Sequence, residues 1–375
     1  MALVLNEEQQ MLKTSAKEFL TENAPVEALR KLRDSNDPKG YDPALWSKMA
    51  ELGFAGIAIP ENYGGMGFGY TGLGQVLEET GRTLTASPLI STVVLGASLI
   101  NIAGNENQKA ALLPAIADGN LLVSVAFEES NAHKPFQANT SYSKSGDGYA
   151  ISGTKKFVLD GSAASKFIVT AKAEGDSGIT LFVVDAGADG VSIERTPMMD
   201  SRNAVTVTLD NVKAAETDIL GGKGNGQKAL GKALDIARIG LSAEMLGSMM
   251  EAYDRTIAYL KERQQFGVPI GVFQGLQHRA ADMYCEIENC KSLVIKSLQA
   301  IDSDSKGLSV YASMTKAKVS DMLKRVTNEA IQMYGGIGMT DDEEIGFFMK
   351  RARVAQRTFG DSNYHIDRFA TLNGF

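Results

Sequence analysis

Twice along this chain the spacing of apolar residues changes period, from helical to alternating and back, and few architectures accept that order. A period near 3.6 places apolar residues on one stripe of a helix, and a period of two places them on one face of a strand. Leu12, Ala16, Phe19 and Leu20 recur at helical spacing near the start. From about residue 121 to 220 alternation takes over: Val205, Val207 and Leu209 are interleaved with Thr206 and Thr208, as in a strand with one buried face. After Gly226 the helical pattern returns, and Leu230, Leu234, Ala237, Leu241, Met245 and Met249 form one stripe. The expected fold is therefore α+β and multidomain. It has an N-terminal helical domain over 1–120, a central β domain over 121–222 and a C-terminal four-helix bundle over 223–375.

Local signals place the elements. Asn6 followed by Glu7, Glu8 and Gln9 offers a capping oxygen, its reciprocal partner and acids suited to the positive end of a helix dipole. Asp42 as cap and Pro43 at the first helical position open a second helix through Leu45 and Trp46, ending near Gly53. The turn-rich loop from Ile59 to Gly65 follows, then helices over roughly 70–83, 89–102 and 107–118. In the β domain, Asp147-Gly148 separates two extended runs, and Leu181 to Val184 is a short apolar strand. Beyond it, helical segments cover about 227–264, 276–303, 308–334 and 343–358.

Composition excludes several functions. With 38 bases against 45 acids the chain carries −7, which disfavours a broad nucleic-acid footprint. The opening MALVLNEEQQ has no basic n-region, and the apolar run from Pro88 to Ile100 is too short to span a bilayer, so a cytoplasmic protein is expected. Cys285 and Cys290 have neither disulfide-framework nor zinc spacing, and read as helix-packing residues in a reducing compartment. His133, His278 and His365 are scattered, so no metal site is expected, and no Gly-x-Ser-x-Gly elbow points to a hydrolase.

Two local features stay open between readings. The stretch from Gly221 to Gly226 is a flexible domain boundary or a phosphate cradle, although its Lys223 is not followed by Ser or Thr. Arg238 and Glu244 border the apolar stripe, where a charge belongs to a site, an interface, a core ion pair or an exposed edge. Periodicity and composition name no reaction.

Longer motifs do. The segment from Tyr259 to Gly267 (YLKERQQFG), with Pro269, Phe273-Gln274 and Ala281-Asp282-Met283, resembles the acyl-CoA dehydrogenase family, as does Gln332 to Gly338 (QMYGGIG) about 60 residues on. Pro60 to Gly65 (PENYGG) is a third match, and the helical, β, helical order agrees. The resemblance implies FAD held between subunits and an acyl-CoA substrate. A carboxylate removes the α-proton, the β-hydride passes to the flavin, and an electron-transferring flavoprotein accepts the electrons. The protein's share of such chemistry is positioning and electrostatics. By the same resemblance Arg263 meets the FAD pyrophosphate, a task suited to a guanidinium fork, and Gln265, Phe266 and Gln274 are further cofactor contacts. Gln332, Gly335 and Gly336 match the strip that reaches an adjacent subunit's dinucleotide.

The pattern also breaks. Where the family carries its catalytic Glu, this chain has Phe359, and the alternative position on the first bundle helix is Ala237. A phenyl ring takes no proton. Asp361, two residues on, is a relocated base or the N-cap of a following helix. Phe127 and Leu159 fall where the family commonly has flavin-bonding threonines, and Asn131 to Pro135 replaces its Gly-rich stretch. This split is similar to the smaller, non-catalytic subunit of heteromeric acyl-CoA dehydrogenases of the pimeloyl-CoA or steroid side-chain type. Two expectations follow: FAD-linked dehydrogenation of an acyl-CoA by this chain within an oligomer, or completion of the FAD site of a base-containing partner. A homo-oligomer and a heterotetramer with a second dehydrogenase chain both satisfy the motifs.

Overall fold

The computed structural model describes residues 3–175 and 178–375. Contacts divide the chain into two compact units built from discontinuous stretches. One comprises Met1–Lys31, Tyr70–Thr85 and Arg238–Phe375; the other comprises Leu32–Gly69 and Ala86–Ala237. Along the sequence the order is helical, β, helical.

The helices before the sheet are α1 (Glu7–Asn23), α2 (Val26–Ser35), α3 (Pro43–Glu51) and α4 (Gly69–Arg82). After a π-helical stretch at Leu89–Ala97 come α5 (Ser98–Ala103) and α6 (Glu106–Ala117). The expected capping box forms, with Asn6 accepting from the Gln9 amide and Gln9 answering the Asn6 amide. Asp42 caps α3 through the Ala44 amide, and Pro43 opens it. The helix expected over 89–102 is corrected: it begins as a π-helix and becomes α-helical only at Ser98. Tertiary bonds accompany that wider winding, since Thr92 is tied to both backbone groups of Val123 and Ser91 donates to Asp160. α2 is not among the expected helices, although Val26, Leu29 and Leu32 recur at helical spacing among its charges.

The β unit holds β1 (Val123–Ala126), β2 (Ser141–Ser145), β3 (Gly148–Leu159), β4 (Lys166–Ala173), β5 (Thr180–Asp185), β6 (Val191–Pro197), β7 (Asn203–Ala214) and β8 (Ile219–Leu220). They form one sheet in the order β6-β7-β3-β2-β4-β5-β8, with β1 parallel to β4. The β2–β3 hairpin turns at Gly146-Asp147, one residue before the expected Asp147-Gly148, because Gly148 already pairs with Ser145 and Gly146 supplies the positive φ of +60°. Val205, Val207 and Leu209 of β7 point into a core with Ile151, Phe167, Val169 and Phe182. Gly153 of β3 is required by close approach, because a Cβ there would lie 2.5–2.7 Å from Thr140. The stretch from Gly221 to Gly226 leads into the next helix, and Lys223 pairs with Glu216 at 2.9 Å.

The C-terminal helices are α7 (Gly226–Glu262), α8 (Gln274–Asp302), α9 (Leu308–Tyr334), α10 (Ile345–Arg357) and α11 (Ser362–Leu372). A short hairpin of β9 (Gln264–Gln265) and β10 (Val268–Pro269) joins the first two. α9 packs against α8, α10 and α11, so a fifth helix joins the four anticipated. Where α4 meets α7 the backbones nearly touch: a Cβ on Gly81 would lie 1.9 Å from the Glu244 carbonyl, and one on Gly247 would lie 1.7 Å from that of Glu78. Cys290 is buried in this bundle, its thiol pushed up to about 12 by burial. Cys285 is exposed, which corrects the expectation that both cysteines pack.

Candidate functional site

The two sequence motifs meet at one end of the bundle. Tyr259, four residues before Arg263, stacks on Tyr334 with ring centroids 4.2 Å apart and planes 12° apart. The Tyr259 hydroxyl donates to the Tyr334 carbonyl at 3.3 Å, and the Tyr334 hydroxyl donates to that of Arg255 at 3.2 Å. Burial, with Glu343 nearby, pushes the Tyr334 hydroxyl up to about 12, so it stays a donor throughout the ordinary pH range. This reciprocal pair fixes the exit of α7 against the exit of α9, and with them Arg263 and Gly335.

Every residue assigned to the cofactor by resemblance lies on the surface here: Arg263, Gln265, Phe266, Gln274, Gln332, Gly335 and Gly336 are all exposed. Phe266 and Gly267 have φ of +55° and +80° at the tip of the β9–β10 hairpin. Left-handed backbone at both tip residues is the geometry of a tight primed turn, which a phenylalanine adopts only under strain. The result is a ring 88% exposed, steadied edge-on by Phe273 at 6.0 Å. Gln274 is the first residue of α8. Gly335 ends α9 at φ +68°, and neither Gly335 nor Gly336 would bring a Cβ within 4 Å of any atom of the chain. Gly336 has no positive φ to require it, so nothing inside the chain accounts for a glycine there. An exposed guanidinium, a strip without Cβ atoms and a raised aromatic suit a dinucleotide's phosphates and planar base. In that respect the residues present fit FAD.

The position of the usual base is built differently. Phe359 is buried with φ +61°, and its carbonyl accepts from Arg238 Nε at 3.1 Å and meets His365 Nε2 at 3.0 Å. Lys316, wholly buried, donates to the carbonyls of Ala355 at 3.0 Å, Gln356 at 3.2 Å and Gly360 at 3.0 Å. Three basic side chains thus hold the carbonyls of one turn, and burial first, then Arg238, lowers the Lys316 ammonium to about 7. Asp361 caps α11, accepting from the Tyr364 amide at 3.0 Å, and its other oxygen takes Arg357 at 2.8 Å. Both carboxylate oxygens are engaged. Glu244 is buried and pairs with Arg351 at 3.2 Å, and Ala237 is buried.

In the β unit the places of the family's threonines are apolar. Phe127 is buried and meets His133 edge-on at 6.3 Å, and Leu159 follows the exposed Phe157, whose φ is +52°. Neither side chain donates a hydrogen bond. These residues do not fit a flavin ring as hydrogen-bonding partners.

Sequence reasoning passes over Lys316, Arg351 and the Glu129–Lys155 pair. A lone Lys or Arg on the buried face of a helix is the available signal, and Lys316 falls among buried Ala312, Thr315 and Val319. The Tyr259–Tyr334 stack has no such signal, since its partners are 75 residues apart.

Comparison with known proteins now gives the class. The acyl-CoA dehydrogenase N-terminal, middle and C-terminal domain families match residues 6–120, 125–212 and 224–371. The short/branched chain specific acyl-CoA dehydrogenase of Bos taurus mitochondria is 30% identical, over 97% of this chain and 85% of its own length. Butyryl-CoA dehydrogenase of Megasphaera elsdenii superposes with a TM-score of 0.92 at 28% identity, over 100% of both chains. The Tcur3481-Tcur3483 steroid ACAD variant gives 0.88 at 33% identity, over 98% of each. The fold is that of a flavin-dependent oxidoreductase. This chain belongs to the acyl-CoA dehydrogenase family, whose members bind FAD and dehydrogenate acyl-CoA thioesters. No helix among the described residues is long and apolar enough to cross a membrane.

Proposed function

We propose that this chain is a subunit of a heteromeric acyl-CoA dehydrogenase of the cytoplasm, in which a second dehydrogenase chain supplies the base and most of the flavin pocket. Here Arg263, Gln265, Phe266, Gln274, Gln332, Gly335 and Gly336 complete the cofactor site across the interface. FAD supplies the hydride acceptor, and an electron-transferring flavoprotein takes the electrons onward. This chain's own part is to grip phosphate with Arg263, to let backbone approach at Gly335 and Gly336, and to hold both against one another through Tyr259 and Tyr334. The observation that carries the reading is the contrast between two places in the same unit. At Phe359 a buried phenyl stands in a turn locked by Arg238, His365 and Lys316. At Gly336 a glycine faces open space.

The test is purification of the chain alone and with a co-expressed base-containing dehydrogenase. The expected result is a colourless single chain and a yellow complex whose flavin band bleaches on adding acyl-CoA. Bleaching by the single chain, abolished by Asp361→Asn, would instead make Asp361 the base of a homo-oligomer.

A further inference from the structure

We propose that the loop 128–140 of the β unit is an anion receptor filled by the chain's own carboxylates, so that it accepts neither a phosphate nor a flavin. Glu129 receives four donors. Its Oε2 accepts the Asn139 amide at 2.6 Å; its Oε1 accepts the Thr140 amide at 2.9 Å, the Thr140 hydroxyl at 2.7 Å and Lys155 Nζ at 2.7 Å. Lys155 is fully buried on β3 and also donates to Thr170 of β4 at 2.7 Å. Glu128, beside it, accepts the Lys134 amide at 3.1 Å on one oxygen and meets His133 Nδ1 on the other. Two consecutive side chains therefore consume three backbone N–H groups, a hydroxyl, an ammonium and an imidazole.

Converging backbone amides beside a buried cation are the components with which proteins bind oxyanions. In this loop a carboxylate of the chain stands in the anion's place. Burial raises the Glu129 carboxyl and Lys155 lowers it, with the second effect and the amides prevailing, so it is held as an anion. Burial lowers Lys155 to about 8 despite Glu129, so the ammonium depends on its filled partner. Lys155 sits on the strand whose Gly153 lets Thr140 approach, which brings the donors together. The inference uses the partner-dependent reading only for its consequence: a chain with this loop closed takes part in flavin chemistry through the C-terminal surface.

The test compares thermal unfolding of the full-length wild type, Glu129→Ala and Glu129→Gln in acetate, formate and chloride at equal ionic strength. Hydrogen exchange of 128–140 is then followed on adding inorganic phosphate or FMN. Glu129→Ala is expected to lose stability and to regain at least half the lost Tm with saturable acetate or formate, but not with chloride. Glu129→Gln, whose amide fills the space, is expected to gain nothing from acetate, and wild-type exchange is expected to ignore phosphate and FMN. If Glu129→Ala does not fold, Glu128→Ala carries the same anion comparison. Equal response to acetate and chloride in a folded alanine variant, or protection of the wild-type loop by FMN or phosphate, overturns the proposal. A single chain that oxidised acyl-CoA while this loop stayed silent would end the partner-dependent reading and leave this one standing.

Discussion

Lys316 shows what burial does to one charge. Its ammonium is lowered to about 7 in the fold, against about 10.5 for an ordinary lysine. Between those values the unfolded chain binds a proton that the folded chain does not, so stability rises as pH rises through this window. It is least at and below pH 7. Lys316→Met, which takes the donor from the carbonyls of Ala355, Gln356 and Gly360 while Arg238 and His365 stay on Phe359, lowers stability overall but flattens that rise; urea unfolding at pH 7 and pH 9.5 separates the two effects. Glu244 belongs to a harsher class, since it and Arg351 are both buried. Glu244→Ala takes the carboxylate from a buried guanidinium and is expected to cost about 3–5 kcal/mol in denaturant unfolding. Asp361→Ala removes a cap and is expected to cost only about 1 kcal/mol.

At the level of elements, the α4–α7 crossing is where a single methyl matters most. The clash of a Cβ at Gly247 with the Glu78 carbonyl is backbone against backbone, so no rotamer relieves it. Gly247→Ala should destabilise by about 3 kcal/mol or prevent folding, whereas Gly267→Ala meets no atom of the chain and strains only its own φ. Circular dichroism melts of the two variants decide this. The element record also shows what a sequence discloses. The limits of α9, 308–334, are legible because Ala312, Val319, Leu323 and Val326 recur at helical spacing, broken only at the turn of Thr315 and Lys316, and Gly335 stops the helix. The π-helix at 89–97 is not legible: every residue in it is buried, so no face pattern exists, and its winding accompanies bonds to Val123 and Asp160. The Phe359 turn lies between these cases. Its missing carboxylate is plain in the sequence, but the three basic groups that hold it come from α7, α9 and α11.

For the whole molecule, the prediction concerns assembly. Arg263→Ala leaves the isolated chain's Tm unchanged, because its exposed side chain has no ion-pair partner among the described residues. Loss of a charge-assisted bond of about 1.5–3 kcal/mol is expected to weaken FAD binding by the proposed complex about 10- to 150-fold, read by flavin fluorescence. The helical, β, helical order is legible because periods are local, and so are the two motifs proposed to meet the cofactor. The interleaving of both units along the chain is not, since it depends on which distant segments share contacts. The open space at Gly336 has an evolutionary corollary. If Gly336 serves a companion chain as proposed, an alanine there would pass every quality check of the cell as a folded polypeptide, and its fault would surface only once that companion arrived. On the same reading, selection at that residue would act on a relationship between two gene products, and a lineage that lost the companion would be free to let the glycine drift.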